Sequence, residues 1–296
     1  MIDISSLAGP LVNGVLWGGL FALIGMGLSL VFGVMRLINV AHGDLVILAT
    51  YLAFFLSTGL VLRQDFPLDM DPILSLVIII PVMFGLGFAI QKFLLNRAFT
   101  VSAEAPLIIA FGIGLIIQNA ALRFWTPMSR SLTPPYALEA FMIGPVRVRV
   151  VYLIAFIAAL IMVFLMREFL KRTYLGRAIS ATAQNKNAAH LMGINTRRVY
   201  AFAFAIAMAI AAIAGVCLGL IFSFTPESGV AFLIIAFGVV IVGGLGSMVG
   251  TLLGGIIMGL AMTLGGFFIG MRWQMLILYL IVIVVLAARP QGIFGR

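Results

Sequence analysis

The sequence predicts an all-α membrane protein, a polytopic bundle of about eight or nine transmembrane helices that includes one short or broken helix. Hydrophobic residues make up 64% of the 296-residue chain, and charged residues make up only 9%. Soluble domains carry roughly 25% charged residues, so this chain cannot cover itself with polar surface. Apolar runs long enough to cross about 30 Å of hydrocarbon recur along almost the whole length. We therefore interpret residues 1–296 as one transmembrane domain.

Nine apolar runs, separated by Gly, Pro and charged residues, predict the helices in order. They cover residues 11–34, 45–62, 72–91, 105–124, 150–166, 200–222, 230–242, 249–268 and 273–288. The seventh run is short and ends at Gly243 and Gly244, which indicates a helix that stops inside the membrane. Gly255 and Gly259 lie four positions apart in the eighth run, a spacing typical of close helix contacts through small residues.

The net charge of +9 does not indicate nucleic-acid binding, because the Lys and Arg residues lie in short segments between the apolar runs. Such residues set orientation, since cytoplasmic loops are enriched in them. Residues 167–198 hold seven Lys or Arg and one Glu, so we predict a cytoplasmic loop there. Alternation then places the carboxyl terminus in the cytoplasm and residues 125–149 outside, although Arg130, Arg147 and Arg149 lie in that segment. Its four prolines predict an ordered loop of turns and short extended pieces.

The first informative motif is Asn-Val-Ala-His-Gly-Asp at residues 39–44, between the first two apolar runs. Ionisable residues at membrane depth are costly, and they tend to line cavities or pair with one another. We expect Gly43 to interrupt the helix and Asp44 to cap the next one at its positive end. Two interpretations stay open: a satisfied structural kink, or a polar lining in which His42 and Asp44 contact a bound molecule.

The second motif is the segment 176–194, which lies in the predicted cytoplasmic loop. Its register predicts a short amphipathic helix with Ile179, Ala183 and Leu191 near one side, and with Gly193 as its C-terminal stop. A helix of this kind can lie on a membrane surface or dock into a groove of a partner protein. The residues alone leave both interpretations open.

These two motifs are followed by Gly-Gly-Leu-Gly-Ser at residues 243–247 and Arg-Pro-Gln-Gly-Ile-Phe-Gly-Arg at residues 289–296. In this order, the four motifs resemble the permeases of branched-chain amino acid ABC importers, and the resemblance covers essentially the whole chain. It is similar in particular to the shorter permease subunit of the leucine, isoleucine and valine uptake system.

This resemblance implies a permease of the bacterial inner membrane that works by alternating access and has no catalytic site of its own. It also implies the partners: a second homologous permease subunit in a heterodimer, two ATP-binding cassette subunits and an extracytoplasmic solute-binding protein. The path for the solute is expected to be mostly apolar with sparse polar groups. The candidate path residues are Asn39, His42, Asp44, Gln118 and Asn119.

The resemblance further implies where the ATPase docks. Residues 187–193 resemble the family's coupling loop, in which Glu-Ala-Ala is followed by Gly. The candidate coupling residues are Arg177, Asn187, Ala188, Ala189 and Gly193. Asn187 stands where a Glu is common, so a charge contact at that position is not expected.

Several other classes lack support in the sequence. No phosphate loop with the Gly-x-x-x-x-Gly-Lys-Ser/Thr spacing is present, so this chain is not the ATPase itself. His42 and His190 are the only histidines and Cys217 is the only cysteine, so we expect no catalytic triad, no metal site and no cofactor. An ion-coupled secondary transporter of small organic solutes is the alternative, but it usually needs carboxylates within its spans, and Asp44 is nearly the only candidate. A passive channel leaves the basic segment unexplained.

Overall fold

The fold is described by a computed structural model that covers residues 4–61, 64–65, 69–102, 104–144, 146–289 and 292–293. Eight helical stretches, each counted with the short turns that adjoin it, are long and apolar enough to cross a membrane, whereas the apolar helix His42–Thr58 has only 17 residues. The prediction of an all-α polytopic bundle with one shorter apolar helix is therefore confirmed. The shorter helix is His42–Thr58 rather than the predicted seventh run, because the stretch Pro226–Gly243 is among the eight.

The helices, in chain order, are α1 (Ile4–Met35), α2 (His42–Thr58), α3 (Leu76–Ala89), α4 (Asn96–Ala98), α5 (Ala105–Trp125), α6 (Val150–Arg172), α7 (Tyr174–Gln184), α8 (Lys186–Leu191), α9 (Thr196–Ile221), α10 (Gly229–Gly243), α11 (Met248–Phe268) and α12 (Gln274–Ala288). A π-helical turn, Ile90–Leu95, joins α3 to α4. Short 3-10 turns precede α10 and α12 at Pro226–Ser228 and Met271–Trp273.

Helix α1 lies at the centre of the bundle and packs antiparallel to α11 through glycines. A β-carbon at Gly255 would overlap the carbonyl oxygen of Gly18, and one at Gly259 would overlap that of Gly14. The small-residue contact predicted from the Gly255 and Gly259 spacing is therefore present. Because lipid supplies no hydrophobic force between helices, this close backbone approach is what lets dispersion hold the pair together.

One end of the bundle is closed by short elements between α5 and α6, the turns and extended pieces predicted there. They are a 3-10 turn, Pro135–Ala137, and the antiparallel hairpin of β3 (Ala140–Ile143) and β4 (Val146–Arg149). A smaller hairpin of β1 (Leu60–Val61) and β2 (Gln64–Asp65) follows α2 at the same end.

A side-chain contact links the loop before α3 to this closed end. The Tyr136 hydroxyl donates to Asp71 Oδ1 at 3.2 Å. Burial, together with the Asp71 carboxylate, raises the pKa of Tyr136, so the hydroxyl keeps its proton and remains a donor. The contact holds the 3-10 turn against the loop that leads into α3.

Candidate functional site

Helix α2 begins inside the bundle rather than at its surface. The chain leaves α1 at Met35, passes through Arg36 with a positive φ of 52°, and runs without helix over residues 36–39 before a turn leads into α2. His42, the first residue of α2, has its Nε2 2.8 Å from the carbonyl oxygen of Ile24. Ile24 lies well within α1, so the chain doubles back along α1 before α2 starts.

Helix α10 begins at the same place. A β-carbon at Gly43 would overlap the carbonyl oxygen of Gly229, and one at Gly229 would overlap Asp44 Oδ1. On the other side, Asp44 Oδ2 lies against Gly114 of α5. The amino-terminal ends of α2 and α10 therefore meet around the Asp44 carboxylate, and we call this meeting point the helix-start junction, comprising Asn39, His42, Gly43, Asp44 and Gly229.

The polar side chains of the helix-start junction are buried and incompletely paired. Asn39, His42 and Asp44 are 1%, 0% and 8% exposed. Within the described residues, Asn39 Nδ2, His42 Nδ1 and Asp44 Oδ1 have no hydrogen-bond partner. Buried polar atoms are rarely left unpaired, and intramembrane ionisable groups tend to be functional. The helix amino termini add partial positive charge, which favours an anionic group beside them.

The expected cap is wrong in its detail. The residue before α2 is Ala41, which makes no side-chain cap, and Asp44 lies in the first turn of α2. Gly43 is not the break either, since α2 already includes it and the non-helical segment lies before it. The reason is tertiary: Gly43 is needed for the approach of Gly229, and Asp44 faces α10 and α5 rather than its own helix end.

The remaining candidate path residues lie on α5. Gln118 is half-buried and one helical turn beyond Gly114, the residue that contacts Asp44. Asn119 is exposed, and its amide donates to the Leu115 carbonyl oxygen at 2.8 Å. The structure thus groups Asn39, His42 and Asp44, keeps Gln118 near them, and turns Asn119 outward.

The segment predicted as one amphipathic helix is two helices, α7 and α8, which we call the elbow (residues 174–191). Asn185 separates them with extended backbone, φ −152° and ψ 104°. Its Oδ1 accepts from the backbone N–H groups of Asn187 and Ala188 at 3.0 Å each, so it caps α8. Asn is a strong helix-start residue, and this local bond outweighs continuation of α7.

The break redirects the side chains that follow it. Ile179 is buried at 1% exposure and Ala183 is half-buried, as predicted for the packed side. Leu191 is 86% exposed, so its predicted place on that side is wrong. Together with Met192, at 83% exposure, it forms an apolar tip that no other described residue covers.

The candidate coupling residues lie on this elbow and at its end. Arg177, Asn187 and Ala188 are exposed, whereas Ala189 is buried at 4% exposure. Gly193 follows the last turn of α8 with φ +82°, which confirms it as the helix stop. The following N–H of Ile194 bonds back to the Ala189 carbonyl oxygen at 3.0 Å, the pattern of a glycine-terminated helix.

Sequence reasoning missed two of the glycines that form the helix-start junction and its wall, Gly229 and Gly114. A signal existed for Gly229, since Thr225 and Ser228 form a capping box directly before it. In the sequence itself, Thr225 followed by Pro226 at the first helical position marks a helix start. No comparable signal marks Gly114, whose role appears only when α5 packs against α2.

Comparison with known proteins identifies the family of the chain. Residues 11–286 match the family model described as the permease component of branched-chain amino acid transport systems. The chain is 31% identical to the high-affinity branched-chain amino acid transport system permease protein BraD of Pseudomonas aeruginosa, over 97% of this chain and 95% of that protein. It is 29% identical to the corresponding protein LivH of Escherichia coli, over 96% and 94% of the two chains. No solved structure matches the chain. With a family match over nearly its whole length, the chain belongs to the branched-chain amino acid transport system permease family.

Proposed function

We propose that this chain is the membrane-spanning permease subunit of an ATP-driven importer that moves branched-chain or related amino acids across the bacterial inner membrane. The observation that carries the proposal is the family match over residues 11–286, which includes both the helix-start junction and the elbow. In this proposal the chain pairs with a second, homologous permease subunit. Two ATP-binding cassette subunits supply the energy, and an extracytoplasmic binding protein delivers the solute.

The helix-start junction suits the recognition of a small amino acid during passage. A branched aliphatic side chain needs apolar surroundings, and the residues packed around the junction include Leu45, Val46 and Leu233, all buried. The charged ends of an amino acid need a few fixed polar groups, which Asp44 and the two helix amino termini supply. Alternating access would open this closely packed junction to one side at a time.

The second permease subunit is proposed to cover the outer face of α5. That face exposes Ile108, Phe111 and Ile116 at 69%, 55% and 71%, together with Asn119. A polar amide on an apolar membrane helix is more stable against a protein partner or an aqueous path than against lipid. This assigns Gln118 and Asn119 to a path between two permease subunits.

The elbow is proposed to contact the ATPase. Its helices are capped by their own side chains, since Thr173 accepts from the Gly176 N–H at 2.9 Å and Asn185 caps α8. The exposed tip of Leu191 and Met192 gives a partner an apolar anchor. A rigid, capped elbow can transmit a displacement at its tip to α6 and α9, the spans on either side.

The proposed orientation places the elbow and the carboxyl terminus in the cytoplasm and residues 125–149 outside. It rests on the Lys and Arg residues gathered at the elbow end. In a variant with the buried Cys217 replaced by Ala, a single cysteine at position 186 should resist a membrane-impermeant thiol reagent in intact cells. A cysteine at position 142, in β3, should react. The reverse pattern would overturn the orientation.

The decisive experiment is reconstitution of this chain in vesicles with a second permease subunit, two ATPase subunits and a solute-binding protein of the same system. Uptake of leucine, isoleucine or valine should require ATP and the binding protein, and it should persist when ion gradients are collapsed. Uptake that needs an ion gradient and no ATPase subunit would instead establish the secondary-transporter alternative. Uptake only of another amino acid or an amide would keep the mechanism and change the solute.

A further inference from the structure

A cavity of about 630 Å3 lies at the elbow end, between the end of α3 and the start of α9, away from the helix-start junction. Four cationic side chains line it, and no Asp or Glu does; they are Lys92, Arg97, Arg197 and Arg198. Among the residues that the structure describes, the single ion pair joins Arg172 to Glu168 on α6. The four cations are therefore not neutralised by a carboxylate of the described chain. We call this cavity the basic pocket.

The polarity of the basic pocket changes along the helix axes. Its inner part is lined by Phe88, Ala201 and Phe202, and the two rings are 5.2 Å apart. Arg97, Arg197 and the other cations lie closer to the helix ends, because α3 continues toward residue 97 and α9 begins at residue 196. An apolar part inside and a cationic rim outside correspond to the acyl chains and the phosphate of a phospholipid.

The backbone supports this arrangement. The π-helical turn Ile90–Leu95 places Lys92 on the rim, with its ammonium 5.7 Å from the Phe88 ring and 5.2 Å from the Phe93 ring. Asn96 joins the two walls, since its amide donates to the Arg197 carbonyl oxygen at 3.1 Å. Single π-helical turns within α-helices occur often at functional sites.

The orientation of the chain in the membrane explains why cations lie near this membrane face. It does not explain why four of them line the same pocket. Arg167 and Lys171 lie at the same end of the bundle, on α6, and are also exposed. They line neither the basic pocket nor the adjacent cleft between α8 and the start of α9. The enrichment of cytoplasmic loops in Lys and Arg is met equally well by exposed residues outside any pocket, such as these two. The convergence of charges from two segments about a hundred residues apart requires a separate explanation.

We propose that the basic pocket binds the headgroup of an anionic phospholipid from the surrounding leaflet, with its acyl chains beside Phe88 and Phe202. The phosphate lies among the cations of Lys92, Arg97 and Arg197, and the pocket is a lipid site distinct from the solute path. Asn96, Thr100 and Arg197 also line a neighbouring cleft beside α8, so these three residues lie between the bound lipid and the elbow.

The test compares two double variants of the full chain in its assembled transporter. Lys92→Gln with Arg197→Gln removes two charges from the pocket, and Arg167→Gln with Lys171→Gln removes two from the same membrane end. Each complex is reconstituted with phosphatidylglycerol, extracted into detergent, and its retained lipid is measured by native mass spectrometry. Retention should fall at least about tenfold in the pocket variant and stay unchanged in the control, because each cation near a headgroup contributes substantially to binding.

Further measurements separate the lipid from other occupants. Phosphatidylglycerol, but not phosphatidylcholine or inorganic phosphate, should raise the thermal unfolding temperature of the wild-type complex, and the pocket variant should lose this rise. Equal retention in both variants would overturn the proposal. So would equal protection by inorganic phosphate, or a pocket variant that keeps its lipid and loses its ATPase subunits, since the cations would then serve a protein partner. Solute uptake is not the readout, and the same lipid measurements can be made on the full chain purified without partners. Failure of the proposed transport function would therefore not be mistaken for failure of the lipid site.

Discussion

The helix-start junction and the elbow differ in how their helices begin and in which side-chain groups lack a partner among the described residues. At the junction, glycines bring α2 and α10 into backbone contact, while Asn39, His42 and Asp44 have polar atoms that no described residue pairs with. In the elbow, Thr173 and Asn185 cap the helices, and the apolar tip at Leu191 is left exposed. The junction is tightly packed but contains buried polar atoms that no described residue pairs with. The elbow has capped helix starts but exposes an apolar surface.

This difference predicts which property of the protein substitutions in each region should change. A packed membrane interior tolerates no added atom between backbones, so changes at the junction should act on folding and on the passage of solute. An exposed, self-capped elbow tolerates many changes, and those that matter should act on the proposed contact with the ATPase. The following substitutions test that division, from the largest expected effect to the smallest.

Gly43→Ala should destabilise the protein by about 2 to 3 kcal/mol, because the added β-carbon overlaps the Gly229 carbonyl oxygen and the backbones must separate. The matched control is Gly85→Ala in α3, where nothing lies within 4 Å of the added carbon. There the change should be neutral or stabilising by up to about 1 kcal/mol. Thermal unfolding in detergent measures both, and equal stability of the two variants would contradict the close contact at the junction.

Asp44→Asn should reduce ATP-dependent uptake by about tenfold, the effect of losing one charge-assisted contact of roughly 1.4 kcal/mol. Assembly and thermal stability should stay near wild type, since Asn retains the size of the side chain. Asp71→Asn is the control, because Asp71 lies outside the junction and an Asn amide oxygen can still accept from the Ile73 N–H and the Tyr136 hydroxyl. If uptake by Asp44→Asn equals that of the control variant, the carboxylate has only a structural role at the starts of α2 and α10 and does not contact the solute.

Gly193→Val should lower solute-stimulated ATP hydrolysis about fivefold, as a β-branched residue at φ +82° is strained by about 1 kcal/mol and misdirects the chain after α8. Solute binding to the separate binding protein should not change. Gly193→Asn is the control, since Asn tolerates positive φ. A Val variant with wild-type stimulation and a full complement of ATPase subunits would remove the coupling role from the elbow.

Asn185→Ala should cost about 1 kcal/mol of local stability in α8, because the cap of two backbone N–H groups is lost. Hydrogen exchange of the α8 amides should accelerate about fivefold, the factor that this energy corresponds to. Asn187→Ala, two residues on, should leave exchange unchanged, since that side chain is exposed and caps nothing among the described contacts. Similar exchange in both variants would show that the elbow is held by packing rather than by its cap.

Local patterns were enough to predict the spans, the elbow's stop and the contact face at Gly255 and Gly259, although not that α1 packs against it. Hydropathy is a sum over consecutive residues, so each apolar run predicts its own helix without reference to the rest of the chain. Gly193 needs a positive φ because of the helix directly before it. Asn185 shows the limit of such reasoning, since a continuous amphipathic register from residue 176 to 193 concealed a residue that starts a helix better than it continues one.

The sequence by itself therefore determined a multi-span membrane protein, the helix ends that depend on neighbouring residues, and the motifs that identify its family. Tertiary structure alone decided that α2 and α10 start at one point around Asp44, and that Lys92 and Arg197 share one pocket. The physical reason is that small residues are spread over many spans, and any of them can permit a close helix contact. Which pairs form depends on how all the helices fill the same space, and no window of consecutive residues contains that information.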